Sequence, residues 1–226
     1  MWFIMRPVAR QYGALAQPLD QILGTAARVR VLRELDRAMT FQSVAGIAKQ
    51  AGLVPNAAKS ALKILTSSGV VEETPIGART LYRMNASHPF VGPLADLFAA
   101  ERARREAVRH AVEAWGELQT PDLMAAWLFG SVARRDDTFQ SDVDIAVVAR
   151  TKAAARRLGD SLRETLTAVA TRHWLRPNVL PYDRGEIRAL PKADAAMWKN
   201  LTRDAIALHG PDPRALLARI AQTKRP

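Results

Sequence analysis

The sequence predicts an α+β protein built as two domains joined by a long helix. Three observations carry this. Residues 25–67 hold three short stretches with apolar residues at helical spacing, and residues 70–85 follow with two β-prone arms. Residues 89–119 read as one long helix opened by Gly92-Pro93. Beyond 120, strand-like apolar runs alternate with helical stretches, as in a sheet covered by helices. The expected division is a first domain over 1–88, a linker helix over 89–119, a second domain over 120–210 and a basic tail over 211–226.

The first helix is TAARVRVLRELDR, 25–37. Thr25 can cap its start, and Val29, Leu32 and Leu35 recur on one face. The next is TFQSVAGIAKQAGL, 40–53, with Thr40 as the candidate cap, an apolar stripe of Val44, Ile47 and Ala48, and Gly52 as its end. A third helix starts near Pro55, turns Ala58, Ala61, Leu62 and Leu65 inward, and stops at Gly69. VVEETPIGARTLYRMN, 70–85, then reads as a hairpin about Pro75-Ile76-Gly77. Three helices and a hairpin in this order resemble the DNA-binding segment of winged-helix bacterial regulators. A compact helical bundle carrying an unrelated hairpin is the plainer alternative. The resemblance implies double-stranded DNA as a partner and the 55–66 helix as the recognition helix. Asn56, Lys59, Ser60 and Lys63 would lie on its exposed side, and Arg79 would approach the backbone or minor groove from the hairpin.

In the linker, Leu94, Leu97 and Phe98 form one apolar patch, and Val108, Ala111, Val112, Trp115 and Leu118 form another. Glu101, Arg104 and Arg105 lie between them. Each patch can pack on a flanking domain, and one can instead serve a homodimer contact. Thr120-Pro121-Asp122 ends the segment. LMAAWLF, 123–129, and DVDIAVV, 142–148, read as buried strands. Residues 151–174 read as a helix with Leu158, Leu162, Leu166 and Val169 on one face. Asn178–Tyr182 reads as a third strand, and 184–209 as helix interrupted near Pro191. The tail holds Pro211, Pro213, a short helix and a basic end.

Composition narrows the function. The 226 residues carry 33 Lys and Arg against 22 Asp and Glu, a net charge of +11, which favours a polyanionic partner. There is no cysteine, so disulfides, thiolate zinc sites and cysteine nucleophiles are excluded. The four histidines, His88, His110, His173 and His209, are scattered and read as surface or capping residues. The opening MWFIMRPVARQYG is too short in its apolar run for a signal peptide. No stretch approaches the roughly 20 apolar residues of a membrane span. The expectation is a cytoplasmic protein with no membrane partner.

The chemistry is concentrated in FGSVARRDDTFQSDVDIAVV, 129–148. Gly130 and Ser131 fall where a strand stops and a helix begins. Glycine lets a phosphate approach the backbone, and the Ser131 hydroxyl and helix-start amides can donate to it. Asp142 and Asp144 are two apart on a strand, so both carboxylates share a face. Such a pair suits Mg²⁺, which also takes phosphate oxygens as ligands. An ion there would offset charge as a hydroxyl displaces pyrophosphate from a nucleoside triphosphate.

Gly130-Ser131, ten residues, then Asp142-Val143-Asp144 resembles the minimal nucleotidyltransferases of the polymerase-β superfamily. Ala133, Arg134 and Ser141 match the family's usual filling, which implies that Arg134 and Ser141 assist nucleotide binding and that Asp142 and Asp144 are catalytic metal ligands. Two positions depart from the pattern. Arg135 stands where the family commonly has glycine. Asn178 stands where the third carboxylate, a metal ligand or general base, is expected, with Asp183 and Glu186 the nearest acids. Two functions follow as expectations. One is a Mg²⁺-dependent nucleotidyltransferase acting on a protein, RNA or small-molecule hydroxyl, with a toxin–antitoxin role, and hence a protein partner, as a special case. The other is a DNA-binding regulator whose nucleotidyltransferase domain only binds nucleotide.

Overall fold

The computed structural model describes residues 15–119 and 121–222. The readings of the opening segment, of Thr120 and of the last residues of the basic tail lie outside the described residues. Contacts divide the chain into two compact units, Met1–Glu101 and Arg102–Pro226.

The first unit begins with helix α1 (Pro18–Leu23), which the sequence did not announce, and α2 (Ala26–Ala38). Thr25 caps α2, its hydroxyl accepting from the Arg28 amide. Strand β1 is only Gln42–Ser43, and α3 follows at Val44–Ala51. Here the cap is Ser43, not Thr40: the Ser43 hydroxyl accepts from the Gly46 amide at 3.2 Å. Residues 42 and 43 are drawn into pairing with Tyr82 and Leu81, which moves the helix start forward. Gly52 closes α3 in the left-handed conformation, φ 63°. Helix α4 (Pro55–Ser67) has proline in its first turn and buries Ala58, Ala61, Leu62 and Leu65.

Strands β2 (Val71–Ile76) and β3 (Arg79–Met84) form the hairpin. The turn is Gly77-Ala78, because Ile76 pairs with Arg79, and Pro75 lies within β2 opposite Thr80. The sheet order β1-β3-β2 makes β2 an edge strand, where a residue without an amide hydrogen is tolerated. The core gathers Val31, Leu32, Leu35, Ile47, Leu62, Leu65, Val70 and Val71. Each such side chain taken from water contributes about 1.5–3 kcal/mol before entropy is counted.

Helix α5 (Val91–Glu117) spans the division between the units. Its early residues Leu94 and Phe98 belong to the first core, and its late residues Val108, Val112 and Trp115 to the second. Leu97 and Leu118, grouped with those patches from their spacing, are 60% and 80% exposed.

The second unit contains β4 (Leu123–Phe129), α6 (Gly130–Arg134), β5 (Val143–Ala149), α7 (Lys152–His173), β6 (Pro177–Asp183), α8 (Arg184–Ala193), α9 (Ala195–Asp204), β7 (Ile206–His209) and α10 (Pro213–Gln222). The sheet order is β6-β5-β4-β7, with β5 and β6 parallel and the other pairs antiparallel. The stretch 206–209 is therefore strand, not helix. Pro191 lies inside α8, and the break falls instead at Asp194, which caps α9.

The sheet is covered on both faces. Ile145, Val147 and Val179 pack with Leu158, Leu162 and Leu166 of α7. Ala146, Val148 and Trp127 pack with Ile187, Leu201, Leu216 and Ile220 of α8, α9 and α10. This is why β4 and β5 read as nearly continuous apolar runs. The buried Trp127 indole donates to the Pro211 carbonyl at 2.8 Å, which removes the cost of hiding its N–H.

Candidate active site

Strand β4 delivers Phe129 opposite Asp144, and β6 delivers Asn178 opposite Asp144 on the other side. Asp144, Ala146 and Val148 share a parity along β5, which places Asp144 on the face covered by α8–α10, and Asp142 immediately precedes the strand, which begins at Val143 and not at the expected Asp142. They lie at the end of the strand where that cover stops: Asp142 is exposed and Asp144 half-buried.

Gly130 is required at its position. Its φ is 78°, and a Cβ added there would lie 2.5 Å from Asp144 Oδ2. The missing side chain is what lets the carboxylate sit against the motif backbone. Ser131 follows in the short helix α6, and its hydroxyl has no partner among the described residues. Asp144 Oδ1 accepts from Asn178 Nδ2 at 2.9 Å. Asp142 Oδ1 is 3.9 Å from Arg176 Nε, both groups being more than half exposed, a weak pair that leaves Asp142 accessible.

Two accessible carboxylates two residues apart, one pressed against a glycine at a strand end, fit a divalent cation that takes its remaining ligands from phosphate and water. Asp142 and Asp144 are the residues that would hold it. Asn178 fits less well as a third ligand, because its amide oxygen carries no charge, and its Nδ2 donates to Asp144.

The other expected site residues are placed differently. Arg134 donates to Asp136 at 3.0 Å and to Asp204 at 2.8 Å. Those acids, Asp204 first, raise its pKa. Arg134 is thus occupied as a strut between α6 and the end of α9. Ser141 accepts from the Thr138 amide at 2.9 Å and ties the loop ahead of Asp142. Asp183 and Glu186, the nearest acids to Asn178, form a reciprocal capping box at the start of α8: Glu186 N–H donates to Asp183 and Asp183 N–H to Glu186. Both carboxylates are committed to that cap. Arg135 adopts the left-handed conformation, φ 64°, which gives a physical reason for glycine at that position in the resembling family.

Sequence reasoning missed Arg176 and Asp204. Arg176 reaches back to the Gln140 carbonyl at 2.6 Å as well as to Asp142. Both lie far from the motif in sequence, and no local pattern marks them. Among the described residues no group of three or more His, Asp or Glu is placed to hold a metal ion.

In the first unit, Asn56, Lys59, Ser60, Lys63 and Arg79 are all exposed. None of their side chains has a hydrogen bond or ion pair among the described residues. No helix among those residues is long and apolar enough to cross a membrane.

The strand-end glycine and the paired aspartates, at one end of a four-stranded sheet, carry the resemblance to nucleotidyltransferases read from the sequence. In agreement, residues 118–173 match the family model described as polymerase beta, nucleotidyltransferase. No curated protein matches the chain. Among solved structures, a toxin–antitoxin crystal structure with AMP-PNP is 18% identical over 51% of this chain and 85% of that one, with a TM-score of 0.33. A homodimeric winged helix-turn-helix DNA-binding domain from Mycobacterium bovis is 28% identical over 46% of this chain and 95% of its own, with a TM-score of 0.31.

Proposed function

We propose that the chain is a Mg²⁺-dependent nucleotidyltransferase carrying a DNA-binding winged-helix domain. It transfers a nucleoside monophosphate from a triphosphate to a hydroxyl of a protein, RNA or small molecule, and a toxin–antitoxin pairing is one setting for this. The observation that carries the reading is Asp144 lying against Gly130, with the exposed Asp142 two residues before it. In this reading Gly130 keeps the backbone open to phosphate, Ser131 donates its hydroxyl to it, and the two aspartates hold the cation. The bound cation supplies charge compensation as pyrophosphate leaves.

A second reading has its own observation. Asn178 donates to Asp144 where a third carboxylate would accept a proton, so nucleotide binding without transfer is the alternative. Labelled triphosphate, Mg²⁺ and wild-type protein, supplied with candidate acceptors, test the first reading, with Asp142→Asn and Asp144→Asn expected to abolish transfer. Unchanged nucleotide affinity in the double variant would overturn the site itself. Asn178→Asp separates the two readings. In a binding-only domain, restoring a general base should make transfer appear, because such bases contribute about 10²–10⁴-fold. In a working enzyme the same change should add little.

A further inference from the structure

Beside the aspartate pair lies a feature that nucleotide transfer does not use. Phe139 is 91% exposed and Trp174 is 89% exposed. Trp174 closes α7 in the left-handed conformation, φ 53°, at a position usually given to glycine or asparagine. A bulky aromatic kept there in solvent is costly twice over, in backbone strain and in exposed apolar surface.

Contacts draw these residues together. Arg104 donates to the carbonyls of His173 and Trp174 at 2.9 and 3.4 Å, and its guanidinium lies 5.6 Å from the centre of the Phe139 ring. A cavity of about 170 Å³ is lined by Arg104, Asp137, Thr138 and Phe139. Phe139 is three residues before Asp142 in the loop that Arg176 grips through the Gln140 carbonyl. Two exposed aromatic faces with two arginines thus adjoin the Asp142 side of the site.

We infer that Phe139 and Trp174, with Arg104 and Arg176, form a stacking platform for the unpaired bases of a single-stranded nucleic acid held next to the Asp142/Asp144 pair. Aromatic faces accept any base, and the arginines meet the phosphates between bases. The inference deepens the proposed function, and rests on it, by naming the class of acceptor. Charge selects the occupant: an apolar peptide would not need the arginines, and a duplex would not offer its base faces.

The test uses full-length protein without Mg²⁺ or triphosphate, so that strand binding is read apart from nucleotide chemistry. Short single-stranded RNA and DNA oligonucleotides are titrated while tryptophan fluorescence and anisotropy are followed. Trp115 and Trp127 are buried and Trp198 is half-buried, so the part of the quenching that Trp174→Phe removes is Trp174's own, and that variant should lose this part while keeping most of the affinity. Phe139→Ala and Trp174→Asn, the latter able to hold the left-handed cap, should each weaken binding about 5- to 150-fold. RNA and DNA arms that differ tell which strand is preferred. Strand binding lost in the aromatic variants reads the platform, and nucleotide affinity lost in Asp142→Asn, measured separately, reads the metal site, so failure of the one and failure of the other are distinguishable. Equal strand affinity in wild type and the two aromatic variants would overturn the inference. So would full competition by ATP, which would make the platform a seat for the triphosphate's own base, or equal quenching by duplex.

Discussion

At the scale of single residues, backbone conformation separates what sequence alone can disclose from what it cannot. The Gly130 requirement was readable as a glycine at a strand end, and the structure gives its cause in the approach of Asp144 Oδ2. The paired aspartates were equally legible from their two-residue spacing, although the strand begins between them, at Val143. Asn178 was legible only through family likeness, and its bond to Asp144 depends on parallel pairing with a strand 34 residues away. Arg135 shows a local cost. A side chain held at φ 64° is less favourable by roughly 1–2 kcal/mol than one in the ordinary helical region. Arg135→Gly should therefore raise stability by about 1 kcal/mol in urea titration, part of the gain being lost to glycine's freedom in the unfolded chain. Arg135→Ala removes the same charge but keeps the strain, and should show no such gain. Equal stabilisation by both variants would assign the effect to charge instead.

At the scale of elements, α6 is a single turn that needs an anchor. Arg134 supplies it by reaching Asp204 at the end of α9, where Arg203 also donates. The Asp204 side chain is only 4% exposed. Arg203 first, then Arg134, hold its carboxyl well below the usual carboxylate range. A carboxyl whose folded pKa is depressed stabilises the fold above its unfolded value, and that contribution is lost as pH falls through the folded value. Stability measured by urea midpoint should thus decline on acidification below about pH 4, and Asp204→Asn should flatten part of that decline while lowering stability at neutral pH. An unchanged pH profile in the variant would show that the strut adds nothing. Elements set by local signals were legible: the Thr25 cap, Pro55, Gly52 and the inward face of α4. Those set by distant pairing were not. β7 has exposed Ile206 and Ala207 and no alternation, and it is a strand only because β4 offers an edge. Ser43 displaced Thr40 as a cap because β1 had to meet β3.

At the scale of the whole molecule, the excess of 33 basic over 22 acidic residues has a test that composition cannot supply. A basic chain binds polyanions weakly wherever its charge lies, whereas a recognition helix concentrates the effect on a few side chains. Lys59, Lys63 and Arg79 are exposed cations without ion pairs among the described residues, so nothing in the protein competes with a phosphate for them. Each phosphate contact releases counterions and adds about 0.9 to the salt slope of duplex binding. If all three contact phosphate, replacing them together with alanine should flatten that slope by roughly 2.7 and weaken binding evenly across DNA sequences. Asn56→Ala and Ser60→Ala carry no charge change, so they should leave the slope alone and alter the preference among sequences. Anisotropy at several salt concentrations, with duplexes of varied sequence, reads both quantities. If the triple variant keeps the wild-type slope, the DNA-binding assignment of α4 and the hairpin fails, and the basic charge belongs to the protein's surface in general. If the slope falls and sequence preference survives in Asn56→Ala and Ser60→Ala, phosphate contact stays with this unit and base readout must come from other side chains.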